Sequence, residues 1–78
     1  MNVEELIKYD RKFFGQTLHR LRTGRGLTRL ELGFKVGVSD TTIGCYENGI
    51  SLPGIEIFYS LCAIFEVAPK EFLKREVE

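Results

Sequence analysis

The chain has 78 residues, of which 44% are hydrophobic, and eleven Lys/Arg balance eleven Asp/Glu to give a formal net charge of zero. This length allows a single domain with a modest core. Charged residues at Glu4, Glu5 and Lys8 exclude a secretory signal at the start, and no apolar run reaches the roughly 20 residues of a membrane span. We therefore expect a cytoplasmic protein with no membrane partner and with reduced cysteines.

The charges are unevenly distributed along the chain. Residues 1–36 carry eight Lys/Arg and four Asp/Glu, a net charge of +4, whereas residues 37–78 carry three and seven, a net charge of −4. This asymmetry can present a basic face to phosphate, but it is equally typical of a solvated helical surface that has no partner. Cys45, Cys62 and His19 lack metal-ligand spacing, and no nucleophile–base pair is evident, so we predict no metal, no cofactor and no enzymatic activity.

Helical periodicity and capping residues predict an all-α fold of five helices. Asn2 and Glu5 form a capping-box pattern, so residues 1–11 are predicted to be a helical N-terminal extension, either separate from the next helix or continuous with it. Phe14, Leu18 and Leu21 then lie on one helical face, and glycines at 24 and 26 end that helix. His19 falls on the outer face of this helix, where we expect it to be solvated.

Two short helices joined by a tight turn are predicted in the middle of the chain. Thr28 followed by Glu31 is a second capping-box pattern, and Gly37 ends the helix that it begins. Ser39 suits the N-cap of the next helix, which spans about residues 40–47 before Asn48-Gly49 closes it.

The last third of the chain predicts a buried helix and a final short one. Residues 55–65 place a stripe of apolar side chains on one face: Ile55, Phe58, Leu61, Cys62 and Phe65. Glu66 stands where a glycine often ends such a helix, so it must accept a left-handed conformation or the helix must end differently. Pro69 suits the first position of a fifth helix, although Ala68 before it is a poor N-cap.

Residues 12–73 resemble the Cro/C1-type (XRE-like) helix-turn-helix repressor family. The likeness is carried by Leu27-Thr28, Leu32-Gly33, Val36-Gly37-Val38-Ser39, Ile43, Tyr46-Glu47-Asn48-Gly49, Pro53, Leu61-Cys62, Phe65, Val67 and Phe72. The resemblance implies a compact five-helix repressor-type domain over residues 12–75, in a prokaryotic cell or encoded by a phage. It also implies that Gly33 lies where two helices cross closely, and that Arg22 and Glu47 form an internal ion pair that fixes geometry more than it adds stability.

The same resemblance implies which residues face DNA, because the third helix is the one that enters the major groove in this family. The base-facing positions correspond to Asp40, Thr41, Thr42, Gly44 and Cys45. The phosphate-facing positions correspond to Thr28, Arg29 and Asn48, with Arg25 and Lys35 as further basic residues around the turn.

The third helix departs from the family pattern in two ways. Its groove face has no Arg, Lys, Gln or Asn, the side chains that make the strong contacts to guanine and adenine. Asp40 can accept a hydrogen bond from cytosine, or it can simply place negative charge in the first turn of the helix. Gly44 is unusual in mid-helix, and both a close approach to a base and neutral drift explain it.

Several apolar residues fall at positions that the family often leaves polar: Ile50, Leu52, Ile57, Tyr59 and Ile64. These residues predict either a patch for self-association or a thickening of a small core. A homodimer would suit DNA reading, because two recognition helices roughly 34 Å apart can bind two half-sites.

Two functions follow from these observations. The first is sequence-specific binding of double-stranded DNA by a small transcription regulator, a repressor or autoregulator, working as a homodimer. The second is a helix-turn-helix scaffold whose Ile50/Leu52 surface binds another regulatory protein. The neutral net charge and the unusual third helix favour the second function.

Overall fold

The computed structural model describes residues 9–74, and every regular element that it assigns there is helical. These elements are α1 (Arg11–Gly24), α2 (Arg29–Val36), α3 (Asp40–Glu47), α4 (Ile55–Phe65) and a 3-10 turn at Pro69–Glu71. The predicted all-α class is therefore confirmed. The predicted capping box of Asn2 and Glu5, and most of the N-terminal extension, lie outside the described residues.

The turn between α2 and α3 follows from its capping residues. The Thr28 hydroxyl accepts a hydrogen bond from the Glu31 backbone N–H, while the Glu31 carboxylate accepts one from the Thr28 N–H, so the predicted capping box is complete. Gly37 ends α2 with a φ of 83°, a left-handed backbone conformation that residues with a Cβ rarely adopt. The Ser39 hydroxyl then accepts a hydrogen bond from the Thr42 N–H and begins α3.

Ten buried apolar residues form one core, to which all four helices contribute. The core consists of Phe14, Leu18, Leu32, Val36, Ile43, Tyr46, Leu61, Cys62, Phe65 and Phe72. Phe14 of α1 and Phe72 after the 3-10 turn pack with their ring centroids 4.9 Å apart, which ties the two ends of the domain together. A backbone hydrogen bond of 2.8 Å from the Asp10 N–H to the Lys74 carbonyl reinforces that closure.

Two glycines let the helices around α3 approach closely. A Cβ at Gly33 would collide with the Val38 carbonyl oxygen in the turn between α2 and α3, so the predicted close approach is present. A Cβ at Gly15 of α1 would lie 2.6 Å from the Tyr46 carbonyl oxygen and would also collide with that of Glu47. The sequence did not single out Gly15, because its contact lies about thirty residues away in α3.

The predicted fifth helix is wrong: the chain forms only a three-residue 3-10 turn, so residues 9–74 contain four α-helices. Ala68 makes no side-chain cap for the turn, and Phe72, which ends it, is fully buried in the core. Burying a phenylalanine contributes about 1.5–3 kcal/mol, so this anchor outweighs any gain from continuing a helix that has no cap.

The end and the start of α4 differ in how well the sequence predicted them. Glu66 has φ 55° and ψ 44°, which confirms the left-handed alternative for the C-terminal end. The prediction that Ile55 lies on the buried stripe is wrong, because Ile55 is 70% exposed. Ile55 is the first residue of α4, and the buried residues of this helix, Leu61, Cys62 and Phe65, all lie in its C-terminal half.

Candidate nucleic-acid interface

Glu47, the last residue of α3, has a carboxylate that is almost completely buried. Its side chain is 1% exposed, and Arg22 of α1 binds it through two nitrogens, with Nε at 2.5 Å from Oε2 and Nη2 at 3.0 Å from Oε1. Arg22 also donates from Nη1 to the Leu27 carbonyl at 2.8 Å. The pair thus joins α1, the loop before α2 and the end of α3 through charge-assisted hydrogen bonds.

Two further side chains contact the same carboxylate. His19 Nδ1 lies 3.1 Å from Glu47 Oε1, and Arg29 Nε donates to Oε1 at 3.2 Å. His19 is solvated as expected, with its side chain 57% exposed, but it also contacts Glu47, which the sequence did not predict. Helical periodicity places His19 on a face of α1, but it cannot reveal a partner 28 residues along the chain.

The cluster sets the charge state of Glu47. Burial alone would raise the pKa of this carboxyl, but hydrogen bonds from Arg22 and His19, together with the Arg22 charge and a hydrogen bond from Arg29, bring the pKa below its ordinary value. The hydrogen bond to Glu47 likewise raises the pKa of Arg22. Glu47 is therefore an anion at neutral pH and holds the end of α3 by charge.

A shallow groove runs along the exposed side of α3. Its lining residues are Arg29, Asp40, Thr41, Gly44, Cys45, Asn48 and Ile50. Four of the five residues expected to face bases, and two of those expected to face phosphate, thus share one surface. Thr42 is the exception among the base-facing set, since its hydroxyl lies 2.9 Å from that of Ser39 at the N-terminal end of the helix.

Arg29 enters this groove from α2 and lies across Gly44. Its Nη1 is 3.2 Å from the position that a Cβ at residue 44 would occupy, and its Cζ is 3.5 Å from it. The glycine in mid-helix therefore has a neighbour that neither expectation considered, because the Arg29 side chain of α2 lies over it.

Asp40 and Thr28 both make local capping contacts. Asp40 Oδ1 accepts a hydrogen bond of 2.9 Å from the Thr41 N–H in the first turn of α3, and its side chain also lines the groove. The Thr28 hydroxyl oxygen is engaged in its capping box, which leaves its O–H as a donor.

Two of the basic residues expected at phosphate lie elsewhere. Arg25 donates to the carbonyls of Ile64 and Phe65 at 3.2 and 3.1 Å, and its guanidinium lies 5.9 Å from the Phe65 ring centroid, so it caps the C-terminal end of α4. Lys35 is exposed on α2 and lines a separate depression with Leu30 and Phe34. Neither residue contributes to the α3 groove.

The five apolar residues of the predicted self-association patch do not form one exposed surface. Leu52, Ile57 and Ile64 pack partly buried against the core, as the alternative interpretation expected. Ile50 is 63% exposed beside the α3 groove, whereas Tyr59 is 55% exposed on α4. Tyr59 lines a second, apolar groove, which we call the α4 groove. The residues that line it are Tyr9, Phe14, Leu52, Pro53, Ile55, Phe58, Tyr59, Pro69 and Leu73.

Within residues 9–74, no helix is long and apolar enough to cross a membrane. The same part of the chain contains no group of three or more His, Cys, Asp or Glu side chains that could hold a metal ion.

Comparison with known proteins identifies the class that this fold and groove define. The family model described as helix-turn-helix (HTH_3) matches residues 18–72, and the chain belongs to this family of Cro/C1-type DNA-binding transcription regulators. The family consists of regulators rather than enzymes, in agreement with the prediction from sequence.

One curated relative is the HTH-type transcriptional activator BcrR of Enterococcus faecalis. It is 35% identical over 63 residues, which are 81% of this chain but only 31% of the relative. The chain thus spans about a third of that protein.

Two solved structures share the fold over most of their length. The restriction-modification controller protein C.AhdI of Aeromonas hydrophila is 30% identical with a TM-score of 0.73, over 81% of this chain and 96% of that one. The P22 c2 repressor, solved in complex with a synthetic operator, is 25% identical with a TM-score of 0.75, over the same shares of 81% and 96%.

Proposed function

We propose that this chain binds a specific site on double-stranded DNA as a homodimer and represses transcription, including that of its own gene. The observation that carries this proposal is the α3 groove, where Arg29 and the short polar side chains of α3 share one exposed surface. In helix-turn-helix proteins this helix lies in the major groove, and ends of neighbouring helices contact phosphate. The proposed place of action is the prokaryotic cytoplasm, where duplex DNA is found.

Glu47 and the three side chains that contact it, His19, Arg22 and Arg29, support this proposal because they hold α3 and Arg29 in place in the free protein. Glu47 fixes the end of α3 to α1 through Arg22 and restrains Arg29 at the rim of the groove. A pre-organised surface loses less conformational entropy on binding than a flexible one. This matters here, because contacts from threonine, cysteine and aspartate to base edges are individually weak.

A homodimer is supported by the α4 groove. Tyr9, Ile55 and Tyr59 are 36%, 70% and 55% exposed around it, so this groove presents apolar surface to solvent and shares no lining residue with the α3 groove. Such surfaces on small proteins mark interaction sites. A second copy docked there would double the weak contacts of one recognition helix through a symmetric DNA site.

Selection from a library of random duplexes tests sequence-specific binding. We expect enrichment of a palindromic sequence whose half-sites are about one helical turn apart, with affinity that falls steeply as salt rises from about 50 to 200 mM. Absence of any enriched duplex, together with binding that does not respond to salt, contradicts the proposal. A reporter gene placed downstream of the enriched site then tests repression, and increased expression contradicts that part alone.

A protein-binding module is the second candidate, and one observation favours it. Phe34 is 89% exposed and Leu30 is 66% exposed, one turn apart on α2, where they form an apolar strip away from the core. In this alternative, Phe34→Ser abolishes a stable complex with another regulator and leaves the helical content unchanged. The Arg29→Ala variant would then keep full regulatory activity, whereas the DNA-binding proposal expects it to lose activity.

A further inference from the structure

Helix α3 itself contains no side chain that makes a strong base contact. The helix sequence Asp40–Glu47 contains no Arg, Lys, Gln or Asn. Asn48 follows the helix, and the remaining polar side chains on the groove are short. Bidentate contacts from Arg or Lys to guanine are the commonest specific contacts in the major groove, so the site needs a donor from elsewhere.

Arg29 is the one cationic side chain that lines the groove among the described residues. Its Nε is held by Glu47 Oε1 at 3.2 Å, and its side chain is 42% exposed. Within residues 9–74, neither Nη1 nor Nη2 of Arg29 makes a hydrogen bond. A guanidinium held at Nε still presents these two nitrogens as a planar fork, the geometry that matches O6 and N7 of guanine.

Gly44 allows this placement. A Cβ at residue 44 would lie 3.2 Å from Arg29 Nη1, so the guanidinium would have to shift by a few tenths of an ångström, and a longer side chain would compete with it for the same space. The glycine costs on the order of 1 kcal/mol of helix stability relative to alanine. In return, the fork of Arg29 lies against the middle of α3, at Gly44.

The positive charge of Arg29 is not needed to neutralise Glu47. Arg22 already makes two hydrogen bonds to Glu47, so one positive charge is available to neutralise that carboxylate. Arg29 therefore adds a net positive charge to the groove. Asp40 lines the same groove with a carboxylate, which disfavours a phosphate there but can accept a hydrogen bond from the amino group of cytosine.

We propose that Arg29, a residue of α2, reads a guanine in each DNA half-site and supplies the strong base contact that α3 lacks. The proposal rests on the DNA-binding function proposed above. It assigns Arg29 to base reading instead of the phosphate contact that its position at the start of α2 suggests. Asp40 is placed to accept from the cytosine of the same or the neighbouring base pair.

The test compares wild type with Arg29→Lys and Arg29→Ala on the duplex that wild type selects, and on duplexes in which each guanine in turn is replaced. We expect one guanine per half-site whose replacement weakens wild type about 10- to 100-fold. Arg29→Ala should lose a similar factor on the selected duplex and should no longer discriminate at that position. Arg29→Lys should keep the salt dependence and lose most of the discrimination.

A change on the DNA side keeps the proposal testable even if a variant folds poorly. Replacing the critical guanine by 7-deazaguanine removes only the N7 acceptor, so wild-type binding should weaken at least several-fold. Arg29→Ala should bind both duplexes equally. The proposal is overturned if Arg29→Ala weakens binding to all duplexes by one factor, keeps the guanine preference and lowers the salt slope by about one, because those results define a phosphate contact.

Failure of this inference is distinguishable from failure of the proposed function. If wild type enriches no duplex, the DNA-binding function itself is wrong. If wild type enriches a site and Arg29→Ala enriches the same site with unchanged guanine preference, only the assignment of Arg29 is wrong.

Discussion

At the scale of single residues, the buried carboxylate of Glu47 holds side chains around the α3 groove in place, although Glu47 does not line that groove. Arg22, His19 and Arg29 all converge on it, from two helices other than its own. Desolvating a carboxylate is expensive, and only this set of partners offsets the cost. Glu47 therefore positions both the end of α3 and the side chain of Arg29.

Replacing Glu47 by glutamine should lower the free energy of unfolding by roughly 2–4 kcal/mol at neutral pH, because Arg22 then loses its counter-charge. The folded-state pKa of Glu47 is depressed, so its contribution is present at neutral pH and is lost as the pH falls through that depressed value. Urea unfolding at pH 7 and at successively lower pH measures this. The difference between wild type and Glu47→Gln should shrink as the pH falls below the ordinary pKa of a glutamate and through the depressed pKa of Glu47.

The control for this prediction is Glu56→Gln, which alters an exposed carboxylate of α4. It should change stability by less than about 0.5 kcal/mol. A difference between wild type and Glu47→Gln that stays constant from pH 7 to acid would contradict the assigned charge state.

At the scale of helices and turns, local signals predicted the boundaries of α2 and α3 because capping depends on residues three or four positions apart. Thr28, Gly37 and Ser39 each act on their own backbone neighbours. Long-range partners left no such signal: Arg29 meets Glu47 across 18 residues, and Arg25 caps a helix 39 residues away. The 3-10 turn was mispredicted because the buried Phe72 outweighs the local preference for a helix.

The contact between α1 and α3 at Gly15 gives a prediction at this scale. A Cβ at Gly15 meets backbone atoms of α3, which cannot rotate away as a side chain can. Gly15→Ala should therefore destabilise the domain by about 1–3 kcal/mol, despite the better helix propensity of alanine. A thermal melt should show a fall of about 4–8 °C for each kcal/mol.

Gly24→Ala is the matched control in the same helix, since nothing lies within 4 Å of its Cβ position. It should be neutral or stabilising by up to about 1 kcal/mol. Equal melting temperatures for the two variants would show that α1 and α3 are not in close contact at Gly15.

At the scale of the whole molecule, the α3 groove and the α4 groove differ in chemical character. The α3 groove is lined mainly by polar side chains and the Arg29 cation, whereas the α4 groove is apolar. The zero net charge of the chain therefore says little about the α3 groove itself, where the cation of Arg29 and the carboxylate of Asp40 lie on one surface. Family resemblance singled out, as facing DNA, six of the seven residues that line the α3 groove, all but Ile50. It did not reveal the α4 groove, whose lining residues come from three separate stretches of the chain, 9–14, 52–59 and 69–73.

Self-association through the α4 groove is testable by mass in solution. Tyr59→Glu places a charge on this apolar surface and should shift the protein from dimer to monomer in sedimentation equilibrium at micromolar concentration. The control is Phe34→Glu, which alters an even more exposed aromatic on α2 and should leave the dimer intact. A dimer that persists in Tyr59→Glu and dissociates in Phe34→Glu would place the interface on α2 instead.

Protection of Cys45 from a thiol reagent tests most directly whether the α3 groove is the DNA-binding surface. Cys45 is half-buried in that groove, whereas Cys62 lies in the core, where burial raises the pKa of its thiol and keeps it unreactive as an internal control. A saturating amount of the selected duplex should slow alkylation of Cys45 by about 10-fold or more, with no change at Cys62, since a fully occupied groove excludes the reagent. Equal rates of Cys45 alkylation in free and DNA-bound protein would contradict the account.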